Sequence, residues 1–321
     1  MLGLVNWKRL GIAAVVAAIV LAVLPRLLTP YGIYVLTVSL YYTILASSWN
    51  LLAGFTGQFS LAQQGFAAIG AYTTGLLIYH YKVPMWLSMP SGVAAAAFLG
   101  FVLGRLVLKM RAIYLAIATW AFAETIHILL AAAYKYTRGE LGLTVPPLYH
   151  DGQPITYYYT FAAVTLVCVV LMYLLVHSPL GYFMRAIKDD ELRAQSLGVD
   201  ATRVKIFVFT ISSAFAGLAG VLYAHYVLVL SPQLADFNEM AKLIIMVVVG
   251  GMGTFAGPLI AAAPIQILTT YLAKYGEWDM VIYAVVVIAL MRSHMGGLVA
   301  LAKLIRDRFM TRNVRSSEVQ P

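Results

Sequence analysis

Residues 177–209 read HSPLGYFMRAIKDDELRAQSLGVDATRVKIFVF, the one internal stretch of this chain that is dense in charge. Arg185, Lys188, Asp189, Asp190, Glu191, Arg193, Asp200, Arg203 and Lys205 crowd together there. On either side the charge disappears: none lies between Asp151 and Arg185, and none between Lys205 and Asp236. Runs that apolar are long enough to cross a bilayer, which takes about 20 residues. The charged island must therefore lie in water between two spans, and its basic excess places it on the cytoplasmic side. A membrane protein with its one elaborate internal loop there is predicted to engage a cytoplasmic partner.

Composition agrees. Of 321 residues, 62% are hydrophobic and 11% are charged, against about 25% charged in a soluble domain. The net charge of +9 is the surplus of Lys and Arg that cytoplasmic loops carry, so no nucleic-acid partner is inferred. Cys168 is the single cysteine and sits in an apolar run, which excludes a disulfide framework or a thiolate metal cluster. The first apolar run, Leu10 to Leu24, follows Lys8 and Arg9 but ends without a small-residue cleavage site, so it is read as a retained span.

Candidate spans fall at 10–28, 33–53, 61–79, 86–107, 112–134, 158–177, 206–229, 239–250, 257–273 and 278–292, about ten in all. With the N-terminus inside, only Arg26, Lys82, Lys135, Arg138 and Lys274 among the 22 Lys and Arg fall outside, with Lys242 at the start of a span. The rest are cytoplasmic, and an even number of spans returns a basic tail (about 293–321) to the same side. Trp86, Trp278 and Tyr157–Tyr159 lie at outer span ends, as aromatic belts do. The expected fold is all-α: a polytopic transmembrane helical bundle, one membrane-spanning domain over 1–321, with discontinuous helices. The outer loop from Lys135 to Tyr157 is too short for a folded domain, and reads as a docking surface or a connector.

Two turns on the cytoplasmic side carry no charge: Gly54-Phe-Thr-Gly57-Gln-Phe-Ser60 and Gly250-Gly251-Met-Gly253-Thr-Phe-Ala-Gly257-Pro258. Exposed turns attract Lys or Arg, and turns in lipid strand backbone polar groups. Both are predicted to be tucked into the protein, where glycine permits close approach and unusual dihedrals. The alternative is plain packing through small residues, as in Gly253-xxx-Gly257 or Gly100-xxx-Gly104. The candidate translocation pathway is Gly54, Gly57, Ser60, Gln63, Glu124, Gly250, Gly251 and Gly253.

No energy source is encoded. There is no Gly-Lys dipeptide and hence no phosphate-cradling P-loop, no His-Glu-x-x-His, and no Gly-x-Ser-x-Gly elbow. No cofactor, metal site or catalytic residue is expected, and the chain is not read as an enzyme. Transport would be driven by an ion gradient or by a separate ATPase. Glu124 and His127 share a helix face and could be a proton relay, line the pathway or pair structurally. Glu239 and Lys242 read as an interfacial ion pair, and His225 as a satisfied structural histidine. The island suits an ATPase better. Residues Tyr182 to Leu197 read as a helix closed by Gly198, and a second helix then runs straight into the membrane. The acidic run Asp189-Asp190-Glu191 would be repelled by anionic lipid, which favours a protein partner. The candidate coupling elbow is about 182–205, through Arg185, Asp189, Asp190, Glu191, Arg193 and Gly198.

RAIKDDELRAQSLGVDATRVKIFVFTISSAFAGLAGVLYA (Arg185–Ala224) resembles the coupling region of branched-chain amino acid ABC transporter permeases, M-type subunit. GFTGQFSLAQQGFAAIGAY (Gly54–Tyr72) and GGMGTFAGPLIAA (Gly250–Ala262) resemble that family's other two signatures, in the same order and spacing. The chain departs from the pattern at Ala62-Gln63-Gln64, where the family commonly has Gly soon after Ser-Leu. The resemblance implies an inner-membrane subunit with both termini cytoplasmic. It would pair with a homologous H-type permease subunit, two cytoplasmic ATPase subunits and an extracytoplasmic substrate-binding protein. The implied cargo is branched-chain amino acids or related small polar solutes such as urea, amides or nucleosides. A stand-alone ion-coupled secondary transporter is the alternative.

Overall fold

A computed structural model describes residues 7–108, 110, 112–149, 152–272, 285 and 288. The described chain is almost wholly helical. It runs α1 (Trp7–Val23), α2 (Pro30–Asn50), α3 (Gln63–Tyr81), α4 (Met85–Val107), α5 (Ala112–Ala132) and the short α6 (Tyr134–Thr137). It continues with α7 (Pro154–Val176), α8 (Pro179–Asp189), α9 (Glu191–Ser196), α10 (Ala201–Val227), α11 (Phe237–Gly250) and α12 (Ala256–Leu272). Five segments are long and apolar enough to cross a membrane alone: Pro30–Phe55, Met85–Val107, Ile113–Ala132, Pro154–Val176 and Ala201–Val227. Nine of the expected spans thus coincide with helices; the tenth, 278–292, and the basic tail lie outside the described residues.

Burial decides which helix is central. In α2 and the turn continuing it, 89% of the apolar window is buried, against 17% in α5. The α2 helix is surrounded by α7, α10, α11 and α12, while α3, α4 and α10 form a second tight group beside it. Ile113, Ile117, Ile128 and Leu129 of α5 are exposed, as are Val15, Val16, Ile19 and Val20 of α1, which are the surfaces a bilayer would cover. Lipid tails are as apolar as these side chains, so helix association needs close packing rather than water exclusion. A Cβ on Gly70 of α3 would fall 2.8 Å from the Gly217 Cα of α10. Gly100 lies equally tight against Ser213 of α10, so the Gly100-xxx-Gly104 pair is a packing motif.

The short span expected at 239–250 is a short helix. With 14 residues, α11 reaches only about 21 Å, against a hydrocarbon core of about 30 Å. It is a half-span, and the segment 228–236 descends to meet it. The outer loop is no loose connector: Leu143 and Thr144 pair antiparallel with Leu230 and Val229, and Leu143 and Val145 are buried. His225, fully buried, donates from Nδ1 to the Pro146 carbonyl at 2.9 Å, but its buried Nε2 has no hydrogen-bond partner, so it is only half the satisfied structural histidine expected.

Candidate functional site

Where α2 ends, the helix widens into a π-helical turn over Leu51–Phe55. Such turns are rare and concentrate at functional sites. The Thr56 hydroxyl closes this one by donating to the Leu52 carbonyl at 2.7 Å. The chain then reverses through Gly57, whose φ is +71°. Trp49 pins the returning strand by donating from Nε1 to the Ser60 carbonyl at 2.6 Å. So Gly54 lies in the last turn of a helix rather than in an open turn, because the widened winding carries helical structure five residues past Asn50.

The second glycine-rich turn meets the first. Asn50 donates from Nδ2 to the Thr254 carbonyl at 2.9 Å and accepts from the Gly253 N–H through Oδ1, also at 2.9 Å. One amide thereby satisfies both polar faces of the turn. The Thr254 hydroxyl donates to the Gly251 carbonyl at 2.7 Å and accepts from the Gly257 N–H at 3.1 Å, which fixes the entry into α12. Gly253 has φ +80°, and a Cβ on Gly54 would fall 2.7 Å from the Gly253 nitrogen. Neither position admits a side chain.

The elbow closes the assembly. Lys188 of α8 donates from Nζ to the Gly54 carbonyl at 2.7 Å. Its stem lies against Gly57, where an added Cβ would be 3.5 Å from Lys188 Cγ. Helix α8 can reach because one face is apolar: Met184 and Ile187, three residues apart, are buried with Gly181. Arg185 lies over the Phe55 ring at 5.9 Å and donates to the Val176 carbonyl at 3.3 Å.

One expectation about the elbow is corrected. Residues 182–197 are not one helix but two, broken at Asp190, whose backbone is extended. Asp190 is the N-cap of α9: its carboxylate accepts from the Arg193 N–H at 3.0 Å, and a capping carboxylate of this kind starts a new helix more readily than it continues an old one. The closure at Gly198 is as expected, with φ +88°. Asp200 then caps α10 by accepting from the Arg203 N–H at 3.0 Å, and Glu191 pairs with Lys205 at 2.6 Å. The outward side of the elbow is open, with Leu192 and Leu197 about four-fifths exposed and Asp189 and Arg193 beside them.

The structure thus gathers Gly54, Gly57, Gly250, Gly251 and Gly253 around one junction, with the elbow against it. Ser60 and Gln63 are buried nearby. Gln63 donates from Nε2 to the Ser48 hydroxyl at 2.5 Å and lies 3.2 Å from the Ser212 carbonyl, where α2, α3 and α10 cross. Glu124 is elsewhere: it sits on α5, 40% exposed, 3.7 Å from His127. Glu239 and Lys242 form the expected pair at 2.6 Å. The reading of the sequence missed Asn50 and Lys188. Asn50 had a signal, being a lone amide in an apolar span, where an unpaired polar group is costly. Among the described residues no group of three or more His, Cys, Asp or Glu is placed to hold a metal ion.

Comparison with known proteins gives the same frame. The family described as branched-chain amino acid transport system / permease component matches residues 31–291. The chain is 31% identical to the high-affinity branched-chain amino acid transport system permease protein LivM of Escherichia coli K12, over 90% of this chain and 75% of that one. It is 22% identical to the high-affinity branched-chain amino acid transport system permease protein LivH of the same organism, over 78% and 88%. It is also 25% identical to the fructose import permease protein FrcC of Rhizobium meliloti, over 63% and 58%. No solved structure matches the chain.

Proposed function

The chain belongs to the branched-chain amino acid transport permease family, and from that premise we propose that it is the M-type membrane subunit of an ATP-driven importer for branched-chain amino acids or chemically related small solutes. The observation that carries the reading is the bond from Lys188 to the Gly54 carbonyl, because it joins the one charged elbow to the glycine-rich centre of the bundle. The positive-inside bias supports an elbow on the cytoplasmic side. The exposed Leu192, Leu197, Asp189 and Arg193 then form a face that fits a cleft on an ATPase subunit.

In this mechanism ATP closes a pair of cytoplasmic ATPase subunits, and the closure displaces α8. Lys188 carries the displacement to Gly54, and Asn50 carries it onward to Gly253 and Thr254. The half-span α11 and the lower part of α2 move together, and the pathway between this subunit and an H-type partner changes the side to which it opens. A binding protein outside the membrane delivers the cargo. Similarity to both LivM and LivH supports a paired arrangement.

Right-side-out vesicles carrying the chain, its genomic-neighbour permease, ATPases and binding protein provide the test. Leucine uptake should require ATP and catalytically intact ATPase subunits, and should persist when a proton ionophore is added. Uptake that continues without the ATPases and collapses with the ionophore would establish the ion-coupled alternative instead.

A further inference from the structure

At the opposite end of α2 and α11 from the junction lies a cavity of about 290 Å³, walled by α2, α10, α11, α12 and the segment 229–234. Four tyrosines, Tyr34, Tyr41, Tyr42 and Tyr223, contribute to its wall; Tyr41 and Tyr223 stack at 4.5 Å, and Tyr34 stacks on Tyr226 behind it at 5.8 Å. Into this neutral lining project one anion and one cation, Glu239 and Lys242. They bond to each other at 2.6 Å, and their side chains remain 27% and 32% exposed. The Tyr42 hydroxyl donates to the other oxygen of Glu239. Tyr41 donates to Gln64 at 3.1 Å, and Gln64 donates on to the Glu239 carbonyl at 3.3 Å. Lys242 and Tyr42 thus hold the two carboxylate oxygens, and Gln64 holds the backbone of the same residue. Gln266, also in the wall, has a buried Oε1 without a hydrogen-bond partner.

We propose that this cavity is a transit site for α-amino acid zwitterions, with Lys242 receiving the α-carboxylate and Glu239 the α-ammonium. The proposal rests on the permease reading above and narrows its cargo. An ion pair placed only for stability gains little from opening onto a cavity, since burying charge is expensive and an apolar pair of similar volume would serve. An ammonium has three N–H donors and a carboxylate about four acceptor positions, so this pair has unused capacity on both sides. A zwitterion supplies both complements at once. A ligand with only one charge would complement one partner alone, and a sugar or urea could hydrogen-bond to both but would bring charge to neither. The ammonium also gains from tyrosine faces, while Val38 and Leu234 offer the remaining wall to an alkyl side chain. The volume lies at the lower edge of the roughly 300–1,000 Å³ usual for ligand cavities, which suits one amino acid and not a disaccharide.

Ser231 lines the same cavity, and the native Cys168 is buried out of reach of an aqueous maleimide. Ser231→Cys is therefore introduced into the complete importer in vesicles, and its labelling rate is measured with L-leucine, isoamylamine or 4-methylpentanoate present. Leucine should slow labelling, and the two singly charged analogues should not. Glu239→Gln and Lys242→Met should each weaken the protection by leucine about tenfold, as expected when one charged partner is removed. Equal protection by the analogues would overturn the proposal, as would protection that survives both substitutions. Absence of protection in vesicles that take up leucine would overturn the site while leaving the permease reading intact. Vesicles that import fructose but no α-amino acid would overturn both.

Discussion

Asn50 and Lys188 are single side chains that each serve two segments. Replacing Asn50 by Leu keeps the branched shape, with more bulk, but strands the Gly253 N–H and the Thr254 carbonyl, at a cost of about 1–3 kcal/mol for each buried group left unpaired. The complex carrying Asn50→Leu should unfold at a lower temperature and take up little substrate; an unchanged midpoint would show that the amide clamp is dispensable. Lys188→Met is the complementary change. It keeps the stem against Gly57 and removes only the charged donor to Gly54. ATPase subunits should still be recovered with the complex and still hydrolyse ATP, but fewer molecules should be imported per ATP consumed. An unaltered import-to-hydrolysis ratio would show that the elbow acts through some other contact.

The elements around those residues are set by caps and by length. No atom lies within 4 Å of a Cβ placed on Gly198, so the only obstacle to a side chain there is the backbone at φ +88°. Gly198→Val should cost about 1–2 kcal/mol of left-handed strain and reduce recovery of the ATPase subunit in a pull-down. Gly198→Asn, which tolerates that conformation, should retain it; equal loss in both would mean the position tolerates no side chain at all. The helices themselves were legible because apolar runs, and the charged or glycine-rich gaps between them, are local signals. The break at Asp190 was not legible, because the flanking residues are as helix-prone as a continuous helix requires. The bonds from Lys188 to Gly54 and from Gly253 to Asn50 join residues 134 and 203 positions apart, and no periodicity in a single sequence reports such distances. The position of Glu124 away from the junction was hidden for the opposite reason. A carboxylate in an apolar helix attracts notice, yet hydropathy does not tell which face of that helix is turned to the bundle.

Across the whole molecule, α2 and α11 are both two-ended. One carries Tyr42 to the cavity and Asn50 to the junction, and the other carries Glu239 and Gly250 to the same two places. About 12 Å of rigid helix separates Tyr42 from Asn50 at about 1.5 Å per residue, so the two sites sit on one shaft with a fixed angular phase. An alanine inserted after Ala46 would turn Asn50 by about 100° relative to Tyr42, while changing the identity of no existing side chain. That insertion should abolish uptake, even though alanine is the best helix former. The same residue inserted after Gly152, an exposed position with open space around it, should be tolerated, and transport assays on the two insertions would decide it. If both were tolerated, the ends would not be geared to each other. If only the second were, the number of residues between cavity and junction would be as fixed in this chain as the identity of any side chain, and relatives would vary in their loops while keeping this count.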